Sequence, residues 1–213
     1  MYVKNYMTKD LITIDPNASM IDASDIMKQH GIHRLPVVSG GKLVGLITKG
    51  IIKENSPSGA TSLSKYEVNY ILDKTKVEDV MIKKVIKISP DHLLEQAAVM
   101  MRDNNIGVLV VSQGEDLQGI ITDKDIFKAL ADISGYSQPG ASLVVEVVQD
   151  RRGVIEEIGD ALLESDSNLT NLVVHHTNDG IRVVIHIDEE DPANLIEKLE
   201  ARHFVVKSVE IKS

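Results

Sequence analysis

The sequence predicts an α+β protein in which two copies of a β-α-β-β-α unit precede one β-α-β-β-α-β unit. Two observations indicate this fold: an internal repeat within residues 7–126, and a different strand and helix pattern after residue 141. The chain has 213 residues, of which 43% are hydrophobic, and that is enough for one large core or two small ones.

The repeat is read from identical residues at a constant spacing. Residues 7–52 align without a gap with residues 81–126. Among the identical pairs are Met7/Met81, Pro16/Pro90, Ala23/Ala97, Met27/Met101, Leu35/Leu109, Gly45/Gly119 and Thr48/Thr122. Chance does not produce so many matches in one register, so the chain contains a duplication.

Each copy predicts the same elements. A short β-rich run, LITI at 11–14 or VIKI at 85–88, is closed by Asp15-Pro16 or Ser89-Pro90. A helix with apolar spacing follows, then two strands around a glycine turn and a closing helix at 49–54 or 123–132. One unit is too small to bury its sheet alone, so we expect the two copies to pack together.

The boundaries follow from these elements. We place the first copy at residues 1–53, a linker with a helix at 54–76 and the second copy at 77–133. In the linker, Ser64 and Glu67 have capping-box spacing, and Tyr66, Tyr70 and Ile71 share a helix face. This helix is expected to pack without touching a ligand.

The C-terminal region has a pattern of its own. Residues 134–141 are rich in turn formers, and strand, helix, two strands, helix and strand then follow over residues 142–213. Asn178-Asp179-Gly180 is a hairpin signal between the two central strands. The predicted order is that of a ferredoxin-like domain.

Composition excludes several classes of function. The chain has no Cys, which excludes disulfides, thiolate chemistry and Cys-based zinc sites. No run approaches the ~18 apolar residues of a membrane span, and the first residues lack the apolar core of a signal peptide. We therefore expect a soluble cytoplasmic protein that does not associate with membranes.

Charge and aromatic content argue against nucleic-acid binding. Residues 142–213 hold 7 Lys/Arg against 15 Asp/Glu, whereas residues 1–141 hold 16 against 17. Nucleic-acid binding needs a basic surface, and base stacking needs aromatics, which make up 3% of the chain. Phosphate-loop, dinucleotide, zinc-protease and nucleophile-elbow strings do not occur in the sequence, so we expect no enzymatic activity.

The duplicated pattern is specific enough to indicate a family. M-x₆-I-x-P, then I-x-x-L-x-V, then G-x-x-T occur twice, and this resembles a tandem pair of CBS domains, a Bateman module. The resemblance implies that adenosine derivatives (AMP, ADP, ATP or S-adenosylmethionine) bind in clefts between the repeats as regulatory ligands. It also implies that their occupancy is relayed to a partner protein as a conformational change.

The family motif G-x-x-(T/S)-x-x-D locates the better cleft. The second repeat matches it with Gly119, Thr122 and Asp125, whereas the first repeat has Ile51 in place of the acid. A carboxylate accepts hydrogen bonds from ribose hydroxyls, and a hydroxyl three residues earlier can donate to ribose or phosphate. The alternative is an ordinary helix N-cap formed by Thr122 and Asp125.

By the same resemblance, the Asp125 site is completed by the first repeat. The string I-H-R-L-P at 32–36 resembles the phosphate-contacting stretch in the nucleotide-sensing subunit of AMP-activated kinase. Arg34 would clamp phosphate and His33 would donate to it, with Ile32 and Ile120 around the adenine. The residues assigned to the site are Thr8, Lys9, Ile32, His33, Arg34, Pro36, Ile120, Thr122 and Asp125.

Plainer interpretations of these residues stay open. His33 and Arg34 also suit a solvated strand end, Lys9 suits plain surface, and the two isoleucines suit the core. The second, weaker cleft is expected to be mainly structural. Its residues are Thr48, Met81, Lys83, Ile106 and Gly107.

The linker and C-terminal region resemble the acetoin-utilisation type of CBS protein, whose C-terminal module is an ACT domain. ACT domains commonly dimerise and bind amino acids near the first strand-helix turn, so the resemblance implies a homodimer and an effector site at Asp150 and Gly153. Dimerisation without a ligand is the alternative. Adjacent strand residues point to opposite faces, so His175 and His176 cannot chelate a metal together. Either could still meet His186 across the hairpin, but we expect no metal site there.

Four functional hypotheses follow, and the fourth, an enzyme, would require turnover that survives Asp125→Ala. The first is a sensor that binds an adenosine nucleotide in the CBS pair and regulates a partner. The second is an amino-acid sensor centred on the ACT module, with the CBS pair as scaffold or dimerisation module. The third is a structural assembly factor in which both clefts are silent.

Overall fold

The computed structural model describes residues 1–57, 64–136, 138–148, 151–177 and 180–212. The chain divides into two compact units, Met1–Ile126 and Phe127–Ser213. Within the part of the chain that is described, no helix combines the length and apolar character needed to span a membrane.

The first repeat contains a short 3-10 helix (Val3–Asn5), two α-helices and a hairpin. Its elements are α1 (Met20–Gln29), β1 (Arg34–Ser39), β2 (Lys42–Thr48) and α2 (Lys49–Glu54). α1 buries Met20, Ala23 and Met27, which recur at helical spacing, and packs them on the buried side chains of β1 and β2. This packing forms the core of the repeat.

The linker and the second repeat follow in order. Their elements are α3 (Lys65–Lys74), α4 (Val77–Val80), β3 (Lys87–Ile88), α5 (Leu94–Asp103), β4 (Val108–Gln113), β5 (Asp116–Thr122) and α6 (Asp123–Ile133). β3 pairs in parallel with β4, which pairs antiparallel with β5.

The duplication is confirmed residue by residue. α5, β4 and β5 begin and end at the positions that the alignment assigns to α1, β1 and β2. Both hairpins also have a register irregularity at the same place, between Val37 and Val38 and between Val111 and Ser112. The two copies therefore share backbone geometry as well as sequence.

The predicted strand at 11–14 is wrong, since it is reduced to a single bridge between Ile14 and Val37. In the second repeat, Val110 N–H donates to Ile86 O over 3.2 Å and extends the pairing. The residue equivalent to Val110 is Pro36, which has no N–H to donate. The pairing in the first repeat therefore ends one step earlier.

The linker helix α3 begins as predicted. Ser64 N–H donates to Glu67 over 2.7 Å, and Ser64 Oγ accepts from Glu67 N–H over 3.3 Å, which forms the expected capping box. The helix packs on the first repeat through Leu72, whereas Tyr66 and Tyr70 are exposed.

The C-terminal unit has the predicted order of strands and helices. Its elements are β6 (Gly140–Val147), α7 (Val154–Ser165), β7 (Leu169–Thr177), β8 (Gly180–Ile187), α8 (Ala193–Ala201) and β9 (Val205–Lys212). The four strands form an antiparallel sheet in the order β7-β8-β6-β9. Alternate residues of β6 and β8 pack with α7 and α8 in one core. Asn178 and Asp179 of the predicted turn lie outside the described residues.

Candidate functional site

The two repeats exchange their leading segments. Thr8 N–H donates to Ile120 O over 2.9 Å, and Ile120 N–H returns a bond to Thr8 O over 3.0 Å. Ile82, the equivalent of Thr8, forms the same pair of bonds with Leu46 over 2.9 and 3.0 Å. Each repeat thus adds its leading segment to the last strand of the other, and this exchange forms the walls of the clefts.

Close approach of these segments explains the glycine of the repeated motif. A Cβ at Gly119 would lie 2.5 Å from the backbone oxygen of Thr8, and a Cβ at Gly45 would overlap Met81 Sδ and lie 3.0 Å from Ile82 O. At Gly119 only glycine fits, because the neighbouring atom belongs to the backbone. The sequence indicated that Gly119 belongs to the motif but not that it makes room for the other repeat.

A cavity of about 230 Å³ lies where the Thr8 segment, the start of β1 and the start of α6 meet. It brings together seven residues that the sequence assigned to the nucleotide site. They are Thr8, Ile32, His33, Arg34, Ile120, Thr122 and Asp125.

Two assigned residues do not line this cavity. Lys9 is exposed beside it, and Pro36 is buried within β1, where its carbonyl accepts from Ile14 N–H over 3.1 Å. Other lining residues had not been singled out: Asp10, Leu11, Ile12, Gly31 and Lys124. Most of these positions could have been inferred from the sequence. Residues 10–12 continue the segment that begins at Thr8, and Lys124 lies between Asp123 and Asp125 at the start of α6.

Thr122 and Asp125 are joined at the start of α6. The backbone N–H and the hydroxyl of Thr122 both donate to Asp125 Oδ2, each over 2.8 Å. Both residues are half-buried. The contact is half of a capping box, which is the alternative interpretation of this pair. Among the described residues, no hydrogen bond engages the other carboxylate oxygen, Oδ1.

The first repeat lacks this carboxylate. Thr48 Oγ1 accepts from Ile51 N–H over 3.2 Å, so Thr48 still caps its helix, but an isoleucine cannot accept a bond in return. Ile51 packs instead against the core of the first repeat. A ribose in this cleft would find no acid at the equivalent position.

Arg34 is half-buried and paired. Its Nη2 lies 3.4 Å from Oδ1 of Asp123, the first residue of α6, and its side chain is 22% exposed. The guanidinium packs closely on Gly107, where a Cβ would lie 2.7 Å from Nη2. The ion pair joins residues 89 positions apart and connects the two repeats. His33, in contrast, is exposed.

A second cavity of about 620 Å³ borders the first and shares His33, Arg34 and Lys124 with it. It contains Thr48, Ile106 and Gly107 of the predicted second cleft, but not Met81 or Lys83. Met81 packs on the first-repeat core, and Lys83 is exposed. Lys49 and Lys53 line this cavity, although the sequence had not marked them.

The proposed effector turn is only partly described. Asp150 lies outside the described residues, and Gly153 is exposed with φ 91° immediately before α7. That φ lies in the left-handed region, which favours glycine.

The three histidines are spread along the sheet. His175 and His176 are exposed opposite Arg182 and Ile181, whereas His186 is buried opposite Asn171 and forms a 2.7 Å hydrogen bond with Ser142. Within the described ranges, no three His, Asp or Glu residues are grouped so that they could hold a metal ion.

The comparisons with known proteins concern mainly the repeat region. The family described as CBS domain matches residues 3–56 and 77–132, which is about half of the chain. An uncharacterized Methanocaldococcus jannaschii protein, MJ1225, is 34% identical over 131 residues. The crystal structure of MJ1225 is described as that of a putative archaeal homolog of g-AMPK. It matches with a TM-score of 0.53, and the match covers 61% of this chain and 48% of MJ1225.

Two further solved structures are similar. The CBS domain pair of protein MJ0100, in complex with 5′-methylthioadenosine and S-adenosyl-L-methionine, is 28% identical with a TM-score of 0.52, and the match covers 62% of this chain and 97% of that one. A putative acetoin utilization protein, AcuB, from Vibrio cholerae is 26% identical with a TM-score of 0.53, covering 65% and 98%. The AcuB match therefore leaves about a third of the chain outside it.

The matches cover only part of the curated relatives. The aligned segments make up 47%, 28% and 45% of the first three curated relatives, so the chain spans about half of their length or less. CBS pairs are generally regulatory, also where they form part of an enzyme. The family match to both repeats and the exchanged leading segments lead to one conclusion: the chain belongs to the CBS-domain family and carries a tandem pair of these domains.

Proposed function

We propose that the protein is a regulatory sensor that binds an adenosine nucleotide in the cavity at Asp125. The observation that carries the proposal is the meeting of Thr122 and Asp125 of the second repeat with Ile32, His33 and Arg34 of the first around one cavity. The MJ0100 pair, which is described with bound adenosine derivatives, lends support from a similar fold.

Each wall of the cavity has a chemical role in this proposal. Asp125 Oδ1 accepts from a ribose hydroxyl while Oδ2 stays bonded to Thr122. Ile32 and Ile120 contact the two faces of the adenine. Arg34, whose planar guanidinium suits phosphate oxygens, binds the first phosphate together with His33.

The relay begins at the Arg34–Asp123 pair. A ligand phosphate competes with Asp123 for Arg34, and Asp123 is the first residue of α6. Binding therefore changes the contacts at the start of a helix that continues to Ile133. A ligand shifts a conformational equilibrium only by its difference in affinity for the two states, and this competition supplies such a difference. The partner that receives the signal would be a regulated protein rather than a substrate.

The test is isothermal titration calorimetry of the full chain with AMP, ADP, ATP and S-adenosylmethionine. We expect micromolar binding of at least one ligand, and a loss of about tenfold or more in Asp125→Asn, since one charge-assisted hydrogen bond is worth roughly 1.5–3 kcal/mol. Asp132→Asn, on an exposed part of the same helix, is the matched control and should bind as the wild type does. Equal affinities for Asp125→Asn and Asp132→Asn would rule out this site.

We further propose that the C-terminal unit is an ACT-like, ferredoxin-like module that joins two chains into a homodimer and takes an amino-acid effector near Gly153. The β-α-β-β-α-β order, the antiparallel sheet and the left-handed glycine before α7 support this. We also propose that the protein acts in the cytoplasm, where adenine nucleotides are available. The similarity to AcuB supports a role related to acetoin utilisation.

Light scattering and amino-acid titration test this second proposal. A dimeric mass together with saturable binding of an amino acid supports it, and a monomer that binds none contradicts it. If an amino acid binds while no adenosine ligand does, the CBS pair is a scaffold. If neither class of ligand binds, the protein is a structural assembly factor.

A further inference from the structure

Helix α7 of the C-terminal unit carries exposed apolar residues at helical spacing. Ile155, Gly159 and Leu163 follow one another four residues apart, so they lie on one face of the helix, which we call the α7 stripe. Ile155 is 53% exposed and Leu163 is 80% exposed. The same helix buries Ile158 and Leu162 in the core of the unit, so the α7 stripe faces away from that core.

Gly159 leaves a gap in the middle of the α7 stripe. A Cβ added there would meet no neighbouring side chain within 4 Å, so packing within the described chain does not require glycine at this position. Glycine inside a helix costs roughly 1 kcal/mol relative to alanine. Ile155 and Leu163 thus form two ridges with a groove between them, and such a groove lets the backbone of another helix approach closely.

Free carboxylates border the α7 stripe. Two exposed acids, Glu156 and Asp160, lie four residues apart along one side of it. Neither has an ion-pair partner among the described residues, whereas Glu157 and Glu164 of the same helix are each paired with an arginine. The whole unit is acidic, since residues 142–213 hold 15 Asp/Glu against 7 Lys/Arg. The field at this surface therefore attracts cations.

We propose that the α7 stripe docks a cationic amphipathic helix of the regulated partner. Apolar side chains of that helix pack on Ile155 and Leu163, and its backbone approaches Gly159. Lysines or arginines beside those apolar side chains meet Glu156 and Asp160. This rests on the proposed function, in which a regulated protein receives the signal, and it names the chemistry of the partner segment.

A second copy of this chain suits the α7 stripe less well. In a two-fold pair of antiparallel α7 helices, the acidic side of one helix lies beside the acidic side of the other. Glu156 and Asp160 of both copies would then repel one another, whereas a cationic helix replaces this repulsion with attraction. Since α7 has 12 residues and is about 18 Å long, a partner helix of about three turns matches it.

Fluorescence anisotropy with the full chain tests this, using a labelled synthetic peptide of about 18 leucines and lysines with the leucines at helical spacing. We expect micromolar binding, and at least about tenfold weaker binding to the Ile155→Ser, Leu163→Ser double variant, because two apolar contacts are lost. Leu130→Ser, at an exposed leucine of α6, is the matched control and should bind as the wild type does. A peptide with the same residues in strict alternation should bind at least about tenfold more weakly.

Further variants test charge and shape separately. Glu156→Gln with Asp160→Asn should weaken peptide binding, and the effect should shrink as salt is added. Glu197→Gln with Glu200→Gln removes the same charge from exposed positions of α8 and should change the affinity by less than about twofold. Gly159→Gln should raise the free energy of unfolding, because glutamine is the better helix former, and yet weaken peptide binding at least about fivefold by filling the groove. A purely structural role of Gly159 does not produce a more stable variant that binds less peptide.

Peptide binding measured without nucleotide separates this surface from the nucleotide site. If the peptide binds as expected and no adenosine ligand does, the docking surface stands and the nucleotide sensor fails. If a nucleotide binds but the peptide does not, or if the α7 variants bind the peptide as their controls do, the docking surface is overturned and the sensor stands. If Leu163→Ser converts a dimer into a monomer in light scattering, a second copy occupies the α7 stripe and the proposal is likewise overturned.

Discussion

At the scale of single residues, the motif glycines have a packing role in addition to their place in the ligand motif. Gly119 is buried against the backbone of Thr8, and Gly45 against the flexible end of Met81 and the carbonyl of Ile82. Backbone atoms cannot move aside as a side-chain end can. The two glycines should therefore differ in how well they tolerate a methyl group.

Gly119→Ala should lower the free energy of unfolding by about 1–3 kcal/mol, since its Cβ would come within 2.5 Å of Thr8 O. It should also weaken nucleotide binding, because Thr8 lines the cavity. Gly45→Ala should cost less, because Met81 can rotate away. Urea unfolding and calorimetry measure both effects.

Gly159→Ala is the control for this pair. Gly159 lies within α7, and a Cβ added there would meet no neighbouring side chain within 4 Å, so alanine should stabilise the protein by about 0.5–1 kcal/mol. A Gly119→Ala variant that is as stable as the wild type would contradict the close-approach argument.

At the scale of elements, reciprocal side-chain bonds hold the starts of α1 and α3. In α1, Asp22 accepts from the Ser19 backbone N–H over 3.0 Å and from the Ser19 hydroxyl over 2.8 Å. These bonds favour the ionised carboxylate and lower the pKa of Asp22. The first-repeat core depends on this helix because α1 contributes Met20, Ala23 and Met27.

The lowered pKa of Asp22 gives a pH-dependent stability. The folded-state pKa lies below the unfolded value, so the contribution is complete above the unfolded pKa and is lost as the pH falls through the folded one. Asp22→Asn should therefore destabilise the protein at pH 7, and the difference from the wild type should shrink as the pH is lowered below about 4. Urea unfolding at several pH values measures it.

Asp25→Asn provides the comparison on the same helix. Asp25 forms an exposed ion pair with Lys28, and exposed pairs contribute little. Its effect should be small and nearly independent of pH over the same range. A pH dependence equal to that of Asp22→Asn would show that the capping bonds are not the cause.

The sequence predicted the elements of the repeats well because the same residues recur in one register. The order of the C-terminal strands and helices was also readable, since alternating and helical apolar spacing marks each of them. The loss of the strand at 11–14 could not be predicted in this way. It depends on Pro36, which lies in the neighbouring strand β1. The Arg34–Asp123 pair and the lysines of the second cavity were missed for a related reason: no local pattern reports which distant residues meet.

At the scale of the whole molecule, the two compact units have separate cores. The C-terminal core centres on buried residues of β6 and β8, among them Leu143 and Ile185, while the first repeat packs around α1. The sets of core residues do not overlap. Damage to one core should therefore leave the binding chemistry of the other unit intact.

Ile185→Ala tests this independence. Ile185 is fully buried, so the truncation should lower the unfolding free energy of the C-terminal unit by about 2–5 kcal/mol. Nucleotide affinity, measured by calorimetry below the unfolding transition, should stay within about twofold of the wild type. Ile211→Ala, at a residue that is 59% exposed, should change neither quantity appreciably. Loss of nucleotide binding in folded Ile185→Ala would show that the two cores are coupled.

The exchange of leading segments also bears on how such a chain arises. A protein with a single repeat would have no strand of its own for the segment around Thr8, but two identical copies would each supply the strand that the other lacks. The present chain thus has the internal symmetry of an ancestral homodimer fused into one polypeptide. Identical subunits must carry identical clefts, whereas a fused pair is free of that constraint. Fusion is what allows one repeat to hold Asp125 at its cleft while the other has Ile51 at the equivalent position and lysines along the neighbouring cavity.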